Sequence, residues 1–302
     1  MARVLQLTVR AMLRRGLTAV AVTAALTGAA ARADVAVLAQ GAVPQYGQVV
    51  EGIHAIAPGA AVVDVGDLPA LEKLLATPPE VVVAVGARAF EVARSRATRS
   101  AVVGAAVLNP DTGGRRDVTA VPIEARPADA LEALAALAPG ARRIVALHSP
   151  DGAQAAEAVR AAAARRPGLK VDLKQVDDIA AFKWVFLGAL QDHDAIWLLP
   201  DARVARPELV RFMAQACLDR RVALVGFLDG MSRAGALVSV AADLDAIGRE
   251  AARLAAEVEA RPREERRDIP FRHAPGKLYV NDRTRAALGL TGALPPRAEV
   301  FR

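Results

Sequence analysis

The stretch Val81–Arg94, which reads VVVAVGARAFEVAR, decides the fold of this 302-residue chain. Its first five residues are apolar and mostly β-branched, a pattern typical of a strand that is buried on both faces of a sheet. Gly86 ends the apolar run, and a helix is predicted over Arg88–Arg99. Because a buried strand followed at once by a helix is half of a βαβ unit, the stretch predicts an α/β protein with a parallel sheet.

The same alternation continues on both sides of this stretch. Strands predicted at Val35–Leu38, Ala61–Val65 and Ala101–Leu108 complete a first set around it. A second set begins near residue 127, and its predicted strands are Arg143–His148, Leu169–Val176, Ala195–Leu199, Val222–Phe227, Gly235–Val240 and Lys277–Val280. Two successive sets of alternating strands and helices predict two parallel sheets, each with helices on both faces.

The first 33 residues have the three-part pattern of a secretory signal peptide. MARVLQLTVRAMLRRG is basic, LTAVAVTAALTGAA is apolar, and ARADV supplies small residues before a cleavage site after Ala33. The apolar run Leu17–Ala31 is alanine-rich and shorter than the roughly 20 strongly apolar residues of a membrane-spanning helix, which disfavours a membrane anchor. We therefore expect export to the periplasm. No cysteine follows the cleavage site, so we do not expect a lipoprotein.

Most of the net positive charge lies in this leader, which contains five arginines and no acidic residue. Subtracting these five from the 39 Lys and Arg leaves 34 against 33 Asp and Glu, and the net charge falls from +6 to +1. A nearly neutral remainder gives no electrostatic reason to expect nucleic acid as a partner.

The single cysteine, Cys217, excludes a disulfide within the chain. It lies in PELVRFMAQACLDRR beside apolar neighbours at helical spacing, so we predict a small buried hydrophobic residue rather than a nucleophile.

The sequence lacks the common catalytic signatures. It has no G-x-S-x-G elbow, no Walker A loop and no G-x-G-x-x-G, and its four histidines are not spaced as metal ligands. We therefore expect no catalytic residue, no metal site and no cofactor, and we predict that the protein is not an enzyme.

Two charged stretches are predicted to be solvated. Asp192–Asp194 precedes a strand and so lies at the amino-terminal side of its sheet, away from the edge where ligands bind in open α/β sheets. Arg261–Asp268, RPREERRD, is predicted to be a solvated loop between a long helix and the last strand.

The loops after the predicted strands carry the strongest functional signal. Each is rich in Gly, Pro, Ser or Asp, and several open directly into a helix whose free N–H groups suit a carboxylate or phosphate. If the carboxyl ends of two sheets face each other, these loops line a cleft between two lobes. The loops are Ala39–Gly41, Gly86–Arg88, Asn109-Pro110, Ser149–Gly152, Pro200-Asp201 and Leu228–Gly230.

The sequence resembles the substrate-binding proteins of ABC transporters with the type I periplasmic binding protein fold, in the tryptophan/tyrosine-type branch. The resemblance rests on five stretches that cover nearly the whole chain after the leader. They are VVVAVGARAFEVAR, LEALAALAPGARRIVALHSP, PDARVARPELVRF, VALVGFLDGMSRAGALVSVAADLDAIGREAARLAAEV and KLYVNDRTRAALGL. The resemblance implies two Rossmann-like lobes that close on a small solute and present it to an ABC permease in the inner membrane.

The resemblance also implies a chain that crosses three times between the lobes. Lobe 1 would comprise residues 34–122 and 241–264, and lobe 2 residues 123–240 and 265–302. The crossings near Val121-Pro122, Val240-Ala241 and Asp268-Ile269 would form the hinge. A monomer is expected.

Eight residues are the candidate ligand contacts. The backbone N–H groups of Ala87 and Arg88 and the Arg88 guanidinium are suited to a carboxylate, Asp201 or Asp243 to an amine, and Tyr46 and Phe227 to stacking. The full set is Gln40, Tyr46, Ala87, Arg88, Ser149, Asp201, Phe227 and Asp243. Structural roles remain open for three of them: Arg88 as a solvated helix residue, Asp243 as a helix N-cap and Phe227 as a core residue.

The sequence departs from the family pattern in the loops of the first lobe. Ala87 stands where the family usually has Thr, and Asn109-Pro110 stands where it usually has Asp-Pro. These changes motivate an alternative function, a non-transport binding, sensor or accessory protein of the cell envelope on the same fold.

Overall fold

The computed structural model describes residues 35–201 and 205–302. The predicted signal peptide lies outside the described residues. The described chain forms two lobes, each built on its own sheet with helices on both faces, which confirms the predicted fold class.

The first lobe contains a five-stranded sheet in which all strands run parallel, in the order β2-β1-β3-β4-β5. The strands are Val35–Ala39 (β1), Ala61–Asp64 (β2), Val81–Val85 (β3), Ala101–Val107 (β4) and Val118–Pro122 (β5). All five residues of β3 are buried, as the apolar run predicts. β5 was not predicted, because VTAVP ends in a proline, which is uncommon inside strands.

Four helices cover the first sheet. They are Tyr46–His54 (α1), Leu68–Ala76 (α2), Ala87–Arg96 (α3) and, from much later in the chain, Leu244–Glu259 (α9). Val81, Val83 and Val85 of β3 face α1 and α9, whereas Val82 and Ala84 face α2 and α3. This alternation follows from the two-residue period of a strand and explains why β3 needs apolar residues at every position.

The second lobe contains a seven-stranded sheet in the order β12-β11-β10-β9-β8-β6-β7. β6 to β10 run parallel, and β11 pairs antiparallel with β10. The strands are Arg143–His148 (β6), Lys170–Gln175 (β7), Ala195–Leu198 (β8), Ala223–Gly226 (β9), Val238–Ala242 (β10), Gly276–Asn281 (β11) and Glu299–Phe301 (β12). The short edge strand β12 was not predicted.

Two pairs of helices bury the faces of the second sheet. One core cluster contains residues of Pro127–Leu137 (α4) and Ala153–Ala163 (α5), and another contains residues of Ile179–Asp192 (α6) and Pro207–Asp219 (α7). Two short helices complete the lobe, Asp229–Arg233 (α8), which was not predicted, and Asp282–Ala287 (α10). No helix in residues 35–201 and 205–302 has the length and apolarity to cross a membrane.

The chain passes between the two sheets at three places. The first passage follows β5, the second lies between β10 and α9, and the third lies between α9 and β11. The third passage runs along β5 before it reaches the second lobe, since Asp268 N–H donates to the Arg116 carbonyl oxygen at 2.7 Å and Arg272 N–H to that of Ala120 at 3.0 Å.

The stretch Arg261–Asp268 is not simply a solvated loop, as the sequence predicted. The Arg266 side chain is buried, and its guanidinium binds the Glu80 carboxylate at 2.7 Å and the carbonyl oxygens of Glu259 and Arg261. A buried guanidinium needs such partners. The run of charged residues in the sequence does not predict which of them is buried or what it binds.

The prediction of a solvated turn at Asp192–Asp194 is also wrong in part. His193 is buried, and its Nε2 lies 3.1 Å from Oδ2 of Asp172. Asp194 accepts hydrogen bonds from the backbone N–H groups of Arg142 and Arg143, both at 2.8 Å. These contacts join strand ends at the amino-terminal edge of the second sheet, so the group is structural.

Candidate inter-lobe binding site

The turn from β3 into α3 brings together several of the predicted contacts in the first lobe. Gly86 has a φ of 85°, and a Cβ atom there would lie 2.3 Å from Cε2 of Tyr46, so only glycine lets the ring approach. Ala87 and Arg88 follow as exposed residues at the start of α3. The Tyr46 ring therefore packs against the residue that precedes α3, and the first N–H groups of α3, which have no partner within the helix, can bind an anionic group.

Gln40 lies at the end of β1, the strand next to β3. It is half-buried, and its carbonyl oxygen accepts a hydrogen bond from Val43 N–H at 3.2 Å. The Asp64 carboxylate binds the neighbouring Gly41 N–H at 2.8 Å and holds this turn in place. Gln40 and the start of α3 thus share the carboxyl edge of the first sheet.

The predicted contacts in the second lobe are more scattered. Ser149 is buried at the end of β6, before a single 3₁₀ turn. Asp201 lines a cavity of about 20 Å³ together with Phe182 of α6. Phe227 lines a different cavity of about 30 Å³, together with Trp197 of β8. Asp201 and Phe227 therefore do not share one cavity.

Asp243 has the structural role that the sequence left open. Its side chain accepts a hydrogen bond from Ala246 N–H at 3.2 Å and so caps the N-terminus of α9. Its Oδ1 also lies 3.6 Å from Nζ of Lys277.

An irregularity at the end of β4 shapes the junction of the lobes. The register of β4 against β5 shifts between Ala105 and Val107, and Ala106 and Asn109 both have positive φ, 55° and 47°. Bulges of this kind bend a strand and redirect the residues that follow. Asn109 leaves the strand here, and its backbone N–H donates to Oε1 of Glu124 at 3.2 Å.

Glu124 and His273, which the sequence did not single out as a pair, meet at this junction. Glu124 lies on the first passage between the lobes and His273 on the third, and the His273 Nδ1 lies 3.1 Å from the Glu124 carbonyl oxygen. Burial raises the pKa of the Glu124 carboxyl, although hydrogen bonds to it act in the opposite direction. Burial lowers the pKa of the His273 imidazole.

A signal for Glu124 was present in the sequence. Val118–Ile123, which reads VTAVPI, is apolar apart from one threonine, a pattern typical of a buried strand. Glu124 follows directly, so this acidic residue is placed at the end of a strand. Its pairing with His273 has no sequence signal, because 149 positions separate the two residues.

Within residues 35–201 and 205–302, no group of three or more His, Cys, Asp or Glu side chains is arranged to hold a metal ion. Burial raises the pKa of the Cys217 thiol to about 12, which suits the predicted small hydrophobic residue and not a nucleophile.

The described chain thus has two α/β lobes, built on largely parallel sheets and joined by three passages. The ABC transporter substrate binding protein family matches residues 60–292 of the chain. The chain belongs to this family, which is a family of solute-binding proteins. No curated protein matches the sequence.

Solved structures share the fold at low sequence identity. The ABC domain from Streptococcus pneumonia in complex with L-Trp is 20% identical, covers 88% of this chain and 99% of its own, and has a TM-score of 0.52. A ligand-free, open substrate-binding protein with adhesive properties from Clostridium difficile is 14% identical, with coverages of 89% and 98% and a TM-score of 0.61. A conserved domain protein from Vibrio cholerae is 19% identical, with coverages of 89% and 99% and a TM-score of 0.51.

Proposed function

We propose that the protein is the periplasmic solute-binding component of an ABC importer. Its ligand would be a small amino-acid-like or other carboxylate-bearing solute, held between the lobes. The observation that carries this proposal is the arrangement of the two sheets, whose carboxyl-end loops flank three passages of the chain. Family membership supports the substrate-binding role, and the L-Trp bound to the Streptococcus protein suggests the solute class.

The proposed carboxylate site is the start of α3. The N–H groups of Ala87 and Arg88 have no intrahelical partners there, and the exposed Arg88 guanidinium adds a full positive charge. Tyr46 would stack on an apolar or aromatic part of the solute. Phe227 would do so from the second lobe, with Gln40, Ser149 and Asp201 as further polar contacts.

Closure of the lobes is the proposed mechanism. A solute that touches both lobes binds the closed form more tightly than the open form and therefore shifts the equilibrium toward closure. Lobe 1 would comprise residues 34–122 and 241–264, and lobe 2 residues 123–240 and 265–302. Asp268 and Arg272 are hydrogen-bonded to Arg116 and to Ala120 of β5. The third passage would therefore bend after Arg272 and not at Asp268-Ile269, and residues 265–272 would move with lobe 1.

The remaining assignments follow from export. Removal of the predicted signal peptide would release a monomer into the periplasm, and an ABC permease in the inner membrane would recognise the closed form. No chemical step is needed for this role, so a binding protein without enzymatic activity is proposed.

A thermal-shift screen of the mature chain against amino acids and related small solutes tests the function. A solute at 100 times its dissociation constant should stabilise the protein by about 2.7 kcal/mol. Arg88→Ala should abolish the shift caused by carboxylate-bearing solutes, whereas Arg96→Ala, at the exposed far end of the same helix, should retain it. The absence of a shift with every solute would contradict transport and favour the non-transport alternative.

A further inference from the structure

Glu124 carries an unsatisfied carboxylate oxygen at the junction of the lobes. The residue is only 6% exposed. Its Oε1 accepts a hydrogen bond from the backbone N–H of Asn109 at 3.2 Å. With the Asn109 side-chain amide turned so that Nδ2 faces Glu124, Nδ2 donates to Oε1 at 3.1 Å and to the Asp151 carbonyl oxygen at 3.3 Å. The buried Oε2 has no hydrogen-bond partner among the described residues. Such a group lowers stability unless something binds to it.

Two small cavities are lined in part by Glu124. One, of about 30 Å³, is also lined by Trp197 and Phe227. The other, of about 10 Å³, is lined by Asn109 of the first lobe and Gln154 of the second, so it lies between the lobes. Glu124 and His273 line both. Space on this scale suits a group about the size of a water molecule.

The charged groups around the cavities leave the negative charge of Glu124 uncompensated. His273 donates from Nδ1 to the Glu124 carbonyl, and burial lowers its pKa, which favours the neutral ring. Arg126 also lines the larger cavity, and its guanidinium binds Asp129 at 2.7 Å. Within residues 35–201 and 205–302, Glu124 has no ion pair with a cationic side chain.

We propose that Glu124 forms a subsite between the lobes that takes the primary ammonium group of the solute. This inference rests on the proposed function and names a substrate class, solutes that carry an amine. An ammonium group is close to water in size, and it donates the hydrogen bonds and the positive charge that Oε2 lacks. Trp197 and Phe227 line the same cavity and supply aromatic surface that favours a cation.

The subsite also suits a protein that closes on its ligand. Glu124 and His273 lie on two of the three passages, and Asn109 contacts Glu124 from the end of β4. An ammonium group bound to Oε2 would therefore contact the segments that must bend, and its charge would stabilise one arrangement of them.

Matched pairs of solutes test the proposal. L-tryptophan and indole-3-propionate, and L-phenylalanine and 3-phenylpropionate, differ only in the amine. Calorimetric titration of the wild-type protein should show the amine member binding at least about tenfold more tightly, as expected for a charge-assisted hydrogen bond. Equal binding within the pairs would overturn the proposal and leave the proposed function intact.

Two variants assign the preference to Glu124. Glu124→Gln should reduce the preference for the amine to less than about twofold, whereas Glu132→Gln, at an exposed residue of α4, should retain it. If Glu124→Gln changed the melting temperature but kept the preference, the carboxylate would be merely structural and the subsite disproved. Equal binding within the two pairs in the wild-type protein overturns the proposal even if this variant does not fold.

The pH dependence supplies a readout that a structural role would not produce. Amine binding should strengthen as pH rises through the raised pKa of Glu124, because the proton and the ammonium group compete for the carboxylate. The dependence should be absent in Glu124→Gln. If none of the four solutes, nor any other member of the screen, binds the wild-type protein, the proposed function fails and this inference fails with it.

Discussion

At the scale of single residues, Glu80 holds the start of the third passage against the first lobe. Its carboxylate binds Arg263 at 2.9 and 3.0 Å and Arg266 at 2.7 Å. Hydrogen bonds from Arg263 and Arg266 lower the pKa of the Glu80 carboxyl to about 2, against the opposing effect of burial. The bonds are partly open to solvent, which limits what they contribute.

We predict that Glu80→Gln lowers the free energy of unfolding at pH 7 by about 1–2 kcal/mol. The pKa is lower in the folded state, so this stabilisation is full above pH 4.5 and is lost as pH falls toward 2. Urea denaturation at several pH values measures both effects. Glu264→Gln, at an exposed neighbouring residue, is the control, and an equal loss in both variants would contradict the role of the Glu80 contacts.

Asp243 allows a helix cap to be separated from a ligand contact. Asp243→Ala should lower the free energy of unfolding by about 1 kcal/mol through loss of the bond to Ala246 N–H, whereas Asp243→Asn retains a capping oxygen and should be close to wild type. Chemical denaturation checks this. If Asp243→Asn folds normally but loses a solute-induced thermal shift, Asp243 contacts the solute as well.

At the scale of elements, α1 and α9 pack with their backbones in close contact. A Cβ atom on Gly248 would lie 2.0 Å from the Val49 carbonyl oxygen, and one on Gly52 would lie 2.3 Å from that of Asp245. Backbone cannot move aside as a flexible side chain can, so each glycine permits the approach of the other helix. This contact anchors α9 to a lobe whose strands lie far from it in sequence.

Gly248→Ala should therefore destabilise the protein by about 1–3 kcal/mol, the usual effect of overpacking. Gly188→Ala, in α6, is the matched control, because a Cβ atom there meets nothing within 4 Å. The control should stabilise the protein by about 0.5–1 kcal/mol. Thermal unfolding of both variants compares them, and a neutral Gly248→Ala would show that the helices can separate without loss.

Elements also show where sequence reasoning succeeded. β3 and its helix were predicted from VVVAVGARAFEVAR, because burial on both faces leaves no room for a polar residue. β5 was missed because its run ends in a proline, and β12 because it has only three residues. Both strands depend on partner strands, β4 and β11. Their stability comes from those partners and not from a local pattern.

At the scale of the whole molecule, solute binding should reduce the radius of gyration of the protein. If the lobes close on a solute, small-angle X-ray scattering of the mature chain should show a smaller radius of gyration when the solute from the thermal screen is saturating. Arg88→Ala at the same solute concentration is the control and should keep the solute-free value. An unchanged radius of gyration in the wild-type protein with bound solute would contradict closure.

The sequence by itself determined the alternation of buried strands and helices, the presence of two sheets and the resemblance to ABC substrate-binding proteins. These properties follow from local periodicity, which records which face of an element is buried. The contacts of Glu124 with Asn109 and His273, and the burial of Arg266 against Glu80, became visible only in the tertiary structure. Such contacts depend on how the chain passes between lobes and on which charges remain paired after burial, and neither is encoded in a local pattern.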